Sequence, residues 1–310
     1  MHHISGRLPS LGLLGRSAGI VLVAAVPVGA AWWLVEGTAA QAVYLGMTFM
    51  TVAARRLPVA EQCWVGFSAG VAAAAGALVA GNTPLLLLVV AAACALQWAF
   101  NRRSVGTAAL LPSNLVLYSV IAPGNVLQVA AATWLGAAVT IVAAALVRMR
   151  VPPEPAPDRD AALHALELAA GCIALVLLTG ALDLPRGNWA VLTLCLVFVP
   201  AAGETTARTL GRALGTAAGA VVAVAVAAAV PPAVCLVLAG LCAILTVAYA
   251  LLPDDLLYAA FLTPTVLLLF SSGRAGATLQ IAVQRVEMTI VGAALAIALA
   301  LAATAWQGRR

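Results

Sequence analysis

A chain of 310 residues that is 64% hydrophobic and only 9% charged is excluded from the soluble globular class, in which about a quarter of residues are charged. Its mean hydropathy of +1.07 describes an all-α polytopic membrane protein, with room for about twelve spans of roughly 20 residues and no polar stretch long enough for a soluble domain. All sixteen basic residues are arginine. In a soluble protein an isoelectric point near 9.1 would point to nucleic acid. Here the arginines lie in short loops, where the positive-inside bias accounts for them, and no nucleic-acid partner is expected.

Charges, prolines and glycines cut the chain into successive apolar runs. The first, 18–35, follows Arg7 and Arg16 as a signal peptide would, yet it is of full span length and ends in Trp32 and Trp33, not at a small-residue cleavage site. It therefore reads as a span. Runs 39–54, 61–81, 84–100, 104–122 and 125–148 complete a first membrane repeat, residues 1–150. The stretch VPPEPAPDRD, 151–160, is rich in proline and charge and reads as a cytoplasmic linker. A second repeat, 161–310, offers runs 163–182, 189–201, 205–230, 233–252, 255–272 and 276–306. The runs 39–54 and 189–201 look short for a full crossing.

Threading these spans with the N-terminus inside puts Arg7, Arg16, Arg55, Arg56, Arg102, Arg103, Arg148, Arg150, Arg159, Arg208, Arg212, Arg309 and Arg310 on the inner side. Only Arg186 and Arg274 fall outside, and Arg285 lies within a helix. Both termini are expected in the cytoplasm. Trp32, Trp33, Trp98, Trp189 and Trp306 fall near span ends, as interfacial anchors do. Cys63, Cys94, Cys172, Cys195, Cys235 and Cys242 sit inside apolar runs without metal-ligand or redox spacing, His2 and His3 are terminal, and His164 opens a helix. No metal site, cofactor site or catalytic cluster can be assembled, so the chain does not read as an enzyme.

The two halves echo each other. Pro112 and Pro264 are 152 apart, as are Leu127-Gln128 and Leu279-Gln280, and Gly66 and Gly70 match Gly215 and Gly219 at a shift of 149. Six helices per repeat give both copies one orientation, so the expected relation is a parallel repeat about the membrane normal. A second echo lies inside the second half, where Arg212, Thr216 and Gly219 recur 73 residues later as Arg285, Thr289 and Gly292. That shift spans three helices, so an inverted three-helix sub-repeat is expected there. In the first half Cys63 and Thr133 stand where the arginines would fall.

Polar chemistry concentrates on two segments. Glu204, Arg208 and Arg212 follow at i, i+4 and i+8 as a helical stripe that runs into the small-residue face of Gly215 and Gly219. The stripe reads either as an inside anchor that snorkels to headgroups or as the cationic mouth of an anion path. On the last helix, Gln280, Gln284 and Glu287 share one face and Arg285 and Thr289 a neighbouring one. Such groups are costly within a span and normally face a bundle interior or cavity, unless the span begins only after Glu287. Read functionally, Arg208, Arg212, Thr216, Gln284, Arg285 and Thr289 bind an organic anion and Glu287 couples it to protons. Gly66, Gly70, Gly215 and Gly219 serve helix packing. Pro112 (LLPSN) and Pro264 (LTPTV) are read as breaks in matching helices, at a site of gating. Tyr118, Trp134 and Phe270 either stack on an aromatic substrate or fill the core.

The stretch NWAVLTLCLVFVPAAGETTARTLGRALGTAAGA, 188–220, resembles the signature of the fusaric acid resistance and aromatic acid exporter family. It carries Trp189, Thr193, Gly203-Glu204-Thr205, Arg208, Arg212, Gly215-Thr216 and Gly219 in the family's order. RVEMTIVGAALA, 285–296, resembles the family's closing motif with Glu287 in place of aspartate. The resemblance implies bacterial inner-membrane export of small aromatic or other organic acids, in some members with a periplasmic adaptor. It also implies a fold similar to the plant aluminium-activated malate transporters, which are anion channels. Many relatives carry a large cytoplasmic domain between their halves; this chain has only 151–160 there. The expected function is proton-coupled export of organic, above all aromatic carboxylic, acids. An uncoupled anion channel and a membrane scaffold without flux of its own are the alternatives. The expected partners are the organic anion, the lipid bilayer, a second copy of the chain and an adaptor.

Overall fold

Alanine, leucine and valine fill the apolar runs, and each run becomes a helix that stops where proline, glycine or a charge interrupts it. The computed structural model describes residues 8–35, 37–147, 151–199, 202–252, 254–271 and 273–307. His2, His3, Arg7, Arg148, Arg150, Arg309 and Arg310 lie outside these residues, as does the side chain of Trp306. Among the described residues there are twelve α-helices and no strand: α1 (Leu11–Leu34), α2 (Gly37–Arg56), α3 (Val59–Leu78), α4 (Thr83–Asn101), α5 (Leu111–Ile121), α6 (Val126–Val147), α7 (Asp158–Ala181), α8 (Asn188–Val197), α9 (Ala202–Ala229), α10 (Pro232–Leu251), α11 (Asp255–Phe270) and α12 (Ala275–Gln307). Seven of these, α1, α4, α6, α7, α9, α10 and α12, are long and apolar enough to cross a membrane, and α5, α8 and α11 are shorter apolar helices.

Local chemistry sets the helix starts. Asn82 accepts from the Leu85 N–H at 3.1 Å to cap α4, and Asp254 accepts from the Leu257 N–H at 2.9 Å to cap α11. Asp158 and Asp160 occupy the first turn of α7, where the helix dipole favours negative charge. Proline opens α10, at a position that needs no N–H.

Two sequence expectations are corrected. The run 39–54 is not short, because α2 takes in flanking residues at both ends and reaches 20 residues. Pro112 does not break a helix in mid-span. It lies in the first turn of α5, which is only 11 residues long, and residues 104–110, read as the opening part of the span 104–122, form turns. Pro264, by contrast, is inside α11. The turns have a physical cause: Gly106 adopts φ +80°, a conformation open to glycine at little cost, and the Val105 N–H donates to the Glu154 carbonyl at 2.8 Å. At the equivalent run 189–201 the expectation of shortness holds, since α8 has 10 residues.

The chain forms two compact units. One comprises Ala24–Thr209 and Glu287–Arg310, the other Met1–Val23 and Leu210–Val286. In the first, α2, α3, α5 and α6 pack around alanines and valines such as Ala42, Val43, Ala73 and Val129, with Tyr118 completely buried among them. Glycines let the backbones approach: a methyl on Gly136 would strike the Val43 carbonyl, on Gly76 the Leu115 carbonyl, and on Gly70 the Trp134 indole, while one on Gly66 would lie 3.1 Å from the Ala137 Cβ. Further, α4 packs on α7, and the short helices α5 and α8 meet. In the second unit α10 packs on α11, with Tyr249 and Phe261 stacked at 5.5 Å between ring centres.

The linker is tied down along its length. Val151 N donates to Arg55 O at 2.9 Å, Glu154 N to Ser104 Oγ at 3.1 Å, and Ala156 N to Asn101 O at 2.9 Å. Arg56 closes on Glu154 at 2.6 Å and Arg102 on Asp158 at 2.9 Å. The arginine-bearing ends of α2 and α4 therefore lie on the same side as residues 151–158.

Candidate functional site

The buried face of α9 is polar at one end and made of small residues at the other. Thr205, Thr209, Arg212 and Thr216 are buried in succession, followed by Gly219, Ala220 and Ala223. Thr205 Oγ ties the helix back to the preceding segment, donating to Val199 O at 3.1 Å and accepting from Val199 N at 3.2 Å. Glu204 and Arg208 are not on this face. Eight positions turn a helix about 80° beyond two full revolutions, so the i, i+4, i+8 stripe drifts, leaving Glu204 and Arg208 outside and Arg212 inside. The outer two pair at 3.5 Å with side chains 64% and 42% exposed, a geometry worth about 0.3–0.5 kcal/mol.

Arg212 is 6% exposed. Its guanidinium carbon lies 5.8 Å from the centre of the Tyr258 ring, and Tyr258 and Asp255 of α11 are its electrostatic neighbours. Its Nε has no hydrogen-bond partner among the described residues. The glycines beside it bring α11 this near. A Cβ on Gly211 would lie 3.3 Å from the Leu256 backbone N and 3.6 Å from the Asp255 Cβ, one on Gly215 would lie 2.9 Å from the Ala259 Cβ, and one on Gly219 would lie 3.0 Å from the Thr263 Cβ and 2.9 Å from the Pro264 Cδ. Pro264 thus lies against Gly219 inside the same contact.

Helix α12 repeats this face. Thr278, Ala282, Arg285, Thr289, Gly292, Ala293 and Ala296 are all buried, and each stands 73 positions after its counterpart in α9. Arg285 is 6% exposed, the same as Arg212. Thr278 Oγ reaches back to Ser271 Oγ at 2.7 Å as Thr205 does to Val199. The helix facing the glycine matches too. Gly219 meets the Ala260 carbonyl and Thr263, and Gly292 meets the Ala190 carbonyl and Thr193, so Ala-x-Leu-Thr forms the seat in both α11 and α8. Gln284 is half-buried, while Glu287 is exposed on the outer face with Val283 and Ile290.

Two site residues escaped the sequence reading, Tyr258 and Asp255. They share a face at i and i+3 on α11, but nothing local links them to Arg212. Tyr118 and Trp134 also find definite places: Tyr118 accepts from Thr133 Oγ at 3.4 Å, and Trp134 stacks on Phe67 at 6.0 Å. Phe270 is 46% exposed. Cys172 and Cys195 bring their sulfurs within 3.9 Å, and no group of three or more His, Cys, Asp or Glu side chains is arranged to hold a metal ion among the described residues.

Long apolar helices with a buried arginine on each of two matching faces describe a membrane protein. Residues 168–299 match the model of the fusaric acid resistance protein-like family, the family whose signature the stretch 188–220 resembles. The matched region contains both arginine faces. No curated protein and no solved structure matches the chain.

Proposed function

We propose that the protein exports small organic acids, aromatic carboxylic acids above all, across the bacterial inner membrane, with both termini in the cytoplasm. The observation that carries this reading is the buried, incompletely satisfied Arg212 on a face repeated around Arg285. A guanidinium in an apolar span is retained at a cost of a few kcal/mol or more, and a carboxylate is the ligand that its fork geometry suits best. Thr216 and Thr289, one turn beyond each arginine, offer hydroxyls to the same anion. The shared faces also support an inverted pair of three-helix units in the second half, within two parallel six-helix repeats. In that arrangement the two arginines are stations at opposite ends of one path.

Proton coupling falls to Glu287, two residues beyond Arg285. A second reading has its own support: Glu287 lies on the exposed face of α12, away from the buried arginine face, which favours an uncoupled anion channel. An inside-negative potential by itself drives an anion outward, by about 2.3 kcal/mol per charge per 100 mV. The test is flux of labelled aromatic and dicarboxylic acids in proteoliposomes, with and without a pH gradient. Glu287→Gln abolishes the gradient-dependent part in an exporter and leaves voltage-driven current intact in a channel. If neither Arg212→Gln nor Arg285→Gln changes the flux of any acid, the anion-path reading fails and a scaffold remains.

A further inference from the structure

The cysteines follow no metal-binding spacing along the chain, yet packing brings two of them together. Cys172 of α7 and Cys195 of α8 are both almost completely buried, and their sulfurs lie 3.9 Å apart. The local cause is Gly171. A methyl there would lie 2.8 Å from the Leu194 Cδ2, so its absence lets α7 and α8 close beside the two thiols. Cys94 of α4, also completely buried, is an electrostatic neighbour of Cys172. Among the described residues no carboxylate or imidazole joins the pair in a ligating cluster.

The donor set selects the ion it can hold. Magnesium and calcium need oxygen ligands, and zinc and iron–sulfur clusters take more protein ligands than this pair supplies. Two thiols alone suit a soft ion of low coordination number, as monovalent copper is. Charge points the same way. Neither α8 nor α7 from Leu168 to Ala181 carries a charged residue, so a bound ion must be neutralised by the thiols themselves. A monovalent ion achieves this by displacing one thiol proton, whereas a divalent ion must displace both. Cys195 also stands in the last turn of α8, where free backbone carbonyls favour a cation. Bonds of about 2.3 Å, the length of a zinc–thiolate bond, let one ion touch both sulfurs across the observed 3.9 Å. A linear arrangement needs them to part only to about 4.6 Å.

We propose that Cys172 and Cys195 form a buried two-thiol site for monovalent copper, which bridges α7 and α8. The site shares no residue with the arginine faces, and neither reading depends on the other. The bridge ties to α7 the part of α8, Ala190 and Thr193, on which Gly292 sits.

The full-length protein with Cys63→Ser, Cys235→Ser and Cys242→Ser keeps the pair and Cys94 and serves as the background. Purified in detergent without oxygen, it is loaded with acetonitrile-stabilised copper(I) and challenged with the chelator bathocuproine disulfonate. A single retained copper per chain is expected, with an ultraviolet thiolate-to-copper band and only sulfur neighbours in X-ray absorption at the copper edge. Adding Cys172→Ser or Cys195→Ser should weaken retention at least tenfold, and adding Cys94→Ser less than about twofold. Copper kept by the Cys172→Ser/Cys195→Ser protein overturns the proposal, as does a background protein that binds none. Equal loss in Cys94→Ser also overturns it, by giving the ion to a different set of thiols. The absorption spectrum tests the ligands without any substitution in the pair: nitrogen or oxygen neighbours overturn the assignment.

Discussion

Arg212 presents a charge that the surrounding side chains only partly satisfy. The Tyr258 ring offers about 0.5–2 kcal/mol of cation–π attraction, and Asp255 balances part of the charge, yet Nε has no hydrogen-bond partner among the described residues. Replacing Arg212 with Gln should therefore lower organic-acid flux at least tenfold, about 1.4 kcal/mol of lost anion stabilisation. Arg212→Lys should recover only part of it, because an ammonium lacks the bidentate fork. Arg208→Ala should change flux less than about twofold, since its pair with Glu204 is solvent-facing. Initial rates in proteoliposomes measure all three. The sequence singles out Arg212 by type and spacing. It cannot separate Arg212 from Arg208, because the drift of a 3.6-residue helix decides which of them faces inward and the neighbouring helix decides what it meets. Tyr258 and Asp255 were invisible for that second reason: their link to Arg212 is made by the close approach that Gly211 and Gly215 allow.

At the scale of helices, the glycines of α9 act as a seat for α11. A side chain larger than hydrogen at Gly215 meets the Leu256 carbonyl and the Ala259 Cβ, so Gly215→Leu should destabilise by about 1–3 kcal/mol, as overpacking does. Ala218→Leu, on the exposed side of the same helix, should stay within about 0.5 kcal/mol. Thermal unfolding in detergent compares the two. Most helices were legible because proline, glycine and charge mark their ends. The turns at 104–110 were not, since VGTAALL has the composition of a helix; what unwinds it is Gly106 at a left-handed φ and a hydrogen bond from the linker, reached across about fifty residues of chain.

On the scale of the whole chain, residues 151–157 form a strap held by side chains and backbone alike. Removing Ser104 Oγ and the Glu154 carboxylate together, in Ser104→Ala/Glu154→Ala, deletes contacts worth about 1 kcal/mol each. Cleavage of the strap by proteinase K should then rise roughly tenfold or more; an unchanged rate would mean that the backbone bonds alone hold it. The two short helices have a consequence of a different kind. At 10 and 11 residues, α8 and α5 extend only about 15–17 Å, near half the hydrocarbon thickness of about 30 Å. Where water reaches both ends of such a helix, the membrane voltage falls across half the usual distance and the local electric field doubles. Any ion crossing there would gather most of its electrical work in that short interval, which would make its movement beside α5 and α8 steeply voltage-dependent.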